Sequence, residues 1–188
     1  MPFIKTDFPG LMVFEPRVFE DSRGYFFESY NYNTFAADGV DIQFVQDNQA
    51  KSCYGVIRGL HYQLNPHAQT KLVRALQGTI LDVVVDIRKG SPTYGKVFSI
   101  ELSEENKKQL LVPKGFAHGY SVLSETSVVM YKCDGFYNKQ SEGGILYSDP
   151  KLAIDWKVPV DKAIVSEKDV VLKGIDECDT NFVFTPNP

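Results

Sequence analysis

What this chain has little of narrows its reading first. It carries three cysteines in 188 residues, Cys53, Cys133 and Cys178. Their odd number and wide, motif-free spacing suit reduced thiols better than a disulfide frame or a zinc knuckle. Positive charge is not in excess: 20 Lys and Arg stand against 24 Asp and Glu, a net of -4. A phosphate-backbone binder needs a basic surface, so nucleic acid is disfavoured as a partner. No apolar run approaches the length that spans a bilayer, and the opening MPFIKTDFPGL shows no basic region followed by an apolar core. The expectation is a soluble, cytoplasmic protein without a membrane partner. Neither GxGxxG after a strand nor a P-loop is present, so a phosphate would have to be met without a helix-based cradle. Repeats, low-complexity tracts and linkers are missing too. One domain over residues 1–188 is expected, with a tail at 176–188 that could be loose.

What the chain does have is a succession of short runs rich in β-branched and aromatic residues from about residue 10 to 150, each closed by Gly, Pro, Asn or Asp. GYFFESY, FVQDNQAKS, GVIRGLHYQ, KLVRALQG, TILDVVVDI, GKVFSIEL, QLLVPKG, AHGYSVL and TSVVMYKCDGFY read as strands of a sandwich or closed barrel. Helical signal is thin. NTFAAD at 33–38 can make one or two turns, and SEENKKQ reads as polar turn chemistry. Ser166 followed by Asp169 has capping-box spacing, which predicts a short helix near the C-terminus. The final TNFVFTPNP reads as an edge strand or as loose chain.

Some polar residues sit where strands want apolar ones. In TILDVVVDI, alternation puts Asp82, Val84 and Asp86 on one face and Leu81, Val83 and Val85 on the other. In KLVRALQG, Lys71 shares a face with Val73 and Ala75; in SVVMYKC, Tyr131 shares one with Val129 and Cys133. Any of these taken alone is more often a rim residue than a functional one. RGLHYQ raises a parity question, because Arg58 and His61 lie three apart and face opposite ways on a regular strand. A bulge at Gly59 would bring them to one side. The structural alternatives are a core histidine bonded to a backbone carbonyl and a surface arginine.

PKGFAH at 113–118, with GVIRGLH before it, resembles the two signature motifs of the cupin superfamily, small jelly-roll barrels with an internal active site. Many cupins bind a metal through histidines of both motifs. Here Gln63 stands where a second histidine would be, no Glu follows at the usual distance, and His67 is displaced, so no metal is expected. RGLHYQ, QDN at 46–48, DSRGYFFE at 21–28, VPKGFAHGY and SEKD at 166–169 together resemble the metal-free dTDP-4-dehydrorhamnose 3,5-epimerase family, over about residues 3 to 175.

That resemblance implies an all-β, cupin-type jelly-roll isomerase of dTDP-L-rhamnose biosynthesis, a route to cell-surface polysaccharide, acting without a cofactor on a nucleotide-sugar substrate. It implies His61 as base, Asp169 as its carboxylate partner and Tyr131 as acid. Lys71 and His118 line the sugar site, and Arg58 meets the pyrophosphate end. Gln46, Asp47, Asn48, Glu142 and Lys168 match nucleotide-contacting positions, and Tyr137 stacks on the base. Arg23 and Glu28 match residues lent to the neighbouring site of a homodimer. The capping spacing competes with one of these roles, since a carboxylate held at a helix start would not reach His61. Three rivals stay open: a single-centre epimerase or ketoisomerase on a related dTDP-4-keto sugar, a metal-dependent cupin, and a non-catalytic sugar-binding cupin.

Overall fold

The computed structural model describes residues 3–186. The strands follow in chain order as β1 (Phe3–Lys5), β2 (Met12–Phe14), β3 (Phe19–Asp21), β4 (Gly24–Phe26), β5 (Gln46–Cys53), β6 (Val56–Gln63), β7 (Lys71–Gln77), β8 (Thr79–Asp86), β9 (Val97–Ser103), β10 (Gln109–Val112), β11 (Phe116–Val122), β12 (Thr126–Cys133), β13 (Glu142–Gly144) and β14 (Ile164–Val165). One helix, α1 (Tyr32–Ala37), and 3₁₀ turns at Lys139–Ser141 and Val160–Lys162 complete the regular structure. The all-β expectation holds, strand by strand, for the runs named from the sequence.

Two sheets face each other as a jelly roll. One runs β1-β2-β10-β7-β12-β5; the other runs β13-β6-β11-β8-β9, with β14 beside β6. The hairpin of β3 and β4 stands apart from both. Between the sheets lies an apolar core that includes Val73 and Ala75 of β7, Val84 of β8 and Val129 of β12. Alternation sends Leu81, Val83 and Val85 to the outer face of the second sheet, where Ile145, Leu152, Trp156, Ile175 and Phe182 cover them. The outer face of the first sheet is closed by α1. The Asn31 side chain caps that helix by accepting from the Asn33 and Thr34 amides, and Phe35 packs among Phe3, Phe14 and Tyr30. Burying such a ring is worth about 1.5–3 kcal/mol.

The helix expected after Ser166 does not form. Residues 166–170 make a single turn, with the Asp169 and Val170 amides donating to the Ser166 carbonyl. The chain then straightens, because the Lys173 carbonyl accepts from Leu146 and Leu172 packs against Gly144. In the tail, the Lys89 amide donates to the carbonyl of Phe182, which is buried, and the Phe184 amide donates to the Lys89 carbonyl. Residues 187 and 188 of the segment expected to be loose lie outside the described residues.

The bulge expected at Gly59 is present. His61 pairs with His118 and Arg58 with Tyr120, so three steps on β6 match two on β11. Gly59 sits at φ +129, and a Cβ built there would lie 2.5 Å from the Gly119 Cα and 2.9 Å from the His118 carbonyl oxygen. The extra residue puts Ile57, Leu60 and Tyr62 into the outer core, while Arg58 and His61 both line the cavity inside. Gly59→Ala combines left-handed strain with this contact, so it lowers unfolding free energy by about 1–3 kcal/mol in a urea titration. Unchanged stability would mean that the two strands do not need the close approach.

Candidate functional site

At one end of the inter-sheet space the core gives way to a cavity of about 520 Å³, lined by Arg58, His61, Lys71, His118, Tyr120 and Tyr131 among others. A second lobe of about 220 Å³ shares His61, Lys71, Tyr131 and Lys168 with it, so the two form one cleft.

His61 meets Asp169 with Nε2 2.7 Å from Oδ1. The carboxylate is 4% exposed and the imidazole 39%, so the pair is closed behind and open toward the cleft. The two sequence expectations for Asp169 divide between its groups. Its amide donates to the Ser166 Oγ, as a cap requires; its carboxylate turns to His61 and also accepts from the Gly59 amide at 3.4 Å. An ionised carboxylate can only accept, so the nitrogen facing it carries a proton and the other ring nitrogen is a free base. Burial pushes the His61 pKa below its usual 6.5; Asp169 pulls the other way without winning, and Lys71 and Lys168 add to the lowering. The ring is therefore neutral near neutral pH.

Lys71 reaches the cleft from β7. Burial lowers its pKa, its ammonium lies 5.6 Å from the centre of the Tyr131 ring, and among the described residues no carboxylate pairs with it. Such a cation favours any negative charge placed beside it. Tyr131 comes from the same sheet. Burial first, then Cys133 and Tyr120, raises its pKa, with Arg58 opposing. The phenol thus keeps its proton.

His118 stands directly across the strand pair from His61. Its Nε2 lies 3.0 Å from both oxygens of Asp82, which is fully buried on β8. The polar face read from TILDVVVDI thus has two partners, since Asp86 instead binds Arg88, Ser91 and Thr93. Gln63 is spent on structure: it donates to the His67 carbonyl and accepts from the Asn138 amide. Among the described residues no three His, Cys, Asp or Glu side chains converge as a metal site would require.

The second lobe gathers Gln46, Asn48, Tyr137, Glu142 and Lys168. Gln46 donates to Asn48 at 3.1 Å and accepts from the Tyr137 amide at 3.3 Å. The Lys168 Nζ lies 2.8 Å from both Glu142 oxygens, which lowers the Glu142 pKa and raises its own. The Tyr137 ring is left exposed at the rim.

Three of the named residues are not brought there. Asp47 points to the opposite face of β5 and pairs with Lys132 at 3.0 Å; strand parity separates it from Gln46 and Asn48. Arg23 sits at the tip of the β3–β4 hairpin, 88% exposed and bonded to Asp21. Glu28 accepts from Asn31 and lines a different hollow with Phe14 and Phe19. Conversely, Asp82, Ser52 and Tyr120 belong to the site's surroundings without having been named for it. Parity carried the signal for two of them: Ser52 shares a face with Asn48, and Tyr120 with His118.

Comparison with known proteins shows what the chain as a whole is similar to. The family model described as dTDP-4-dehydrorhamnose 3,5-epimerase matches residues 5–177. A dTDP-4-dehydrorhamnose 3,5-epimerase of Shigella flexneri is 53% identical over 171 residues, 90% of this chain and 93% of that protein. The crystal structure of an enzyme of the same name from Elizabethkingia anophelis superposes with a TM-score of 0.89 at 52% identity, covering 93% of this chain and 96% of that one. A Legionella pneumophila dTDP-6-deoxy-D-glucose-3,5-epimerase, solved with dTDP-4-keto-L-rhamnose, gives a TM-score of 0.89 at 44% identity, with 94% of each chain covered.

The balance at His61 has a measurable sign. Followed by NMR, its ring should titrate below 6.5, and lower still in Asp169→Asn, because the opposing carboxylate charge is removed. A midpoint above 6.5 in the unsubstituted protein would show that the carboxylate outweighs burial.

Proposed function

The chain belongs to the dTDP-4-dehydrorhamnose 3,5-epimerase family, and from that premise we propose how its residues carry out the reaction. The enzyme is an isomerase of a nucleotide-linked sugar in dTDP-rhamnose biosynthesis. Its substrate carries a ketone at carbon 4, which acidifies the hydrogens at carbons 3 and 5 alike. The observation that carries the reading is one cleft holding a neutral, carboxylate-backed His61, a protonated Tyr131 and an unpaired Lys71.

His61 removes the proton, and Asp169 holds the resulting imidazolium in place. The electron pair moves onto the carbon-4 oxygen, and the Lys71 ammonium stabilises this enolate, assisted by His118. Tyr131 then returns a proton to the opposite face, which inverts the carbon. Every transfer is of a proton, so the reading uses no cofactor and no metal. Arg58 faces the pyrophosphate, since its planar fork suits phosphate oxygens. Gln46, Asn48, Glu142 and Lys168 hold the nucleoside, and Tyr137 stacks on its base. Asp47 supports this lobe only through its strand.

The working form in this reading is a homodimer in the cytoplasm, each chain a single domain over residues 1–188. The detached hairpin presents Phe19, Tyr25 and Phe26, each more than half exposed, around Arg23. Apolar groups in such a patch favour docking on a partner. The hairpin then carries Arg23 and Glu28 to the neighbouring cleft.

In heavy water with the 4-keto-6-deoxyglucose nucleotide, deuterium should enter at carbons 3 and 5. His61→Asn should slow incorporation about 10²–10⁴-fold, and Lys71→Met should cost roughly 2.7–4 kcal/mol in kcat/KM. Incorporation at one carbon alone would make this a single-centre epimerase. Exchange of Arg23 between subunits has its own test. Mixed dimers of the inactive His61→Asn chain and the impaired Arg23→Ala chain should regain turnover, because one site then holds an intact His61 and a neighbour's Arg23. No recovery on mixing would place Arg23 outside the partner's site.

A further inference from the structure

The mechanism above leaves one buried polar group unused. Tyr120 is 4% exposed and lines the same cavity as His61 and Tyr131, yet its hydroxyl has no hydrogen-bond partner among the described residues. An unanswered buried hydroxyl is destabilising, since it gave up its water without gaining a partner. Its neighbours are already engaged elsewhere. Ser52 accepts from the Arg58 Nε at 3.2 Å and bears on the phenol oxygen only from the donor side, lowering its pKa, so the Tyr120 O–H gains no acceptor there. Asp82, paired in register with Tyr120, holds His118 through both oxygens. Ser127 stands opposite Ser52 in register, and its own buried hydroxyl is likewise without a partner. One end of an otherwise apolar barrel therefore carries more hydrogen-bonding capacity than the protein itself consumes.

We propose that the Tyr120 hydroxyl hydrogen-bonds the hexose in the cleft, making Tyr120 a specificity-determining residue for the sugar half of the substrate. This deepens the epimerase reading and rests on it for the identity of the ligand. The Tyr120 side chain sits on β11 two residues beyond His118, on the same face, and across the bulge from Arg58. A ring seated between His61 and Tyr131 comes within reach of this wall. Burial raises the Tyr120 pKa, Arg58 notwithstanding, so the group is a hydrogen-bond donor throughout the neutral range. A polar group left unpaired until ligand arrives discriminates strongly, because an analogue without the matching oxygen leaves it unpaired still.

The test is Tyr120→Phe, which removes one oxygen and leaves the ring. Binding of dTDP and of dTDP-D-xylose is measured by calorimetry, so the sugar's share of affinity is read without turnover. The expected result is unchanged dTDP affinity, a sugar increment reduced about tenfold, kcat/KM lower by a similar factor, and a melting temperature that is unchanged or higher. A residue with a merely structural role would move the melting temperature and leave the sugar increment intact, which would overturn the proposal. An intact increment at unchanged stability would overturn it equally. Should the unsubstituted protein bind both nucleotides but fail to exchange deuterium, the epimerase reading falls while the sugar increment still decides the role of Tyr120.

Discussion

Two glycine backbones approach closely where β6 pairs with β11, and the site depends on that contact. Without the extra residue at Gly59, Arg58 and His61 would face opposite sides of the second sheet, and one of them would sit in the outer core beside Leu60 and Tyr62. With it, both enter the cavity, and the Gly59 amide is turned toward the Asp169 carboxylate. A Cβ on either glycine would collide with the facing backbone, since one on Gly119 would lie 2.6 Å from the Arg58 carbonyl oxygen. The bulge therefore fixes two things together: which side chains reach the cleft, and where the carboxylate behind the base can anchor.

The cleft's electrostatics follow from burial acting on groups of both signs. Desolvation disfavours whichever form is charged, so it holds His61 neutral, keeps the Tyr131 phenol protonated and strains the Lys71 ammonium. A base that is uncharged, an acid that retains its proton and a cation in want of an anion are the three states that enolate chemistry needs. Burial supplies the first two and works against the third, which Cys133 and Asp82 favour from a distance. The paired charges, Lys168 with Glu142 and Lys132 with Asp47, lie at the more exposed rim and edge, where solvent screens them.

Much of this was legible in the sequence, for reasons that differ by residue. Period-two alternation is a local property, so the faces of β7, β8 and β12 could be read directly, and with them the inward direction of Lys71, Asp82 and Tyr131. The bulge was legible because Gly59 interrupts that alternation between two residues that belong together. The turn after Ser166 was misread as a helix, because capping spacing describes a start without saying whether anything sustains it; the pull of Leu146 on Lys173 is a long-range contact. Partner choice at a distance was equally hidden. Nothing local tells that the Asp82 carboxylate meets His118, that Ser52 engages Arg58, or that Asp47 turns away while its neighbours turn in. Arg23 and Glu28 stand apart from the cleft of their own chain, a placement that reading a single chain could not distinguish from a solvated hairpin.

The segment after β13 wraps the outside of the second sheet. It is irregular for most of its length, and it supplies both the apolar cover over Leu81, Val83 and Val85 and the carboxylate behind His61. The strands thus own the imidazole, while the wrapping segment owns what tunes it. A change in that outer loop can reset the proton affinity of the base, and because the same carboxylate accepts from the Gly59 amide and the loop's β14 pairs with β6, reactivity and the bulge are adjusted from one place.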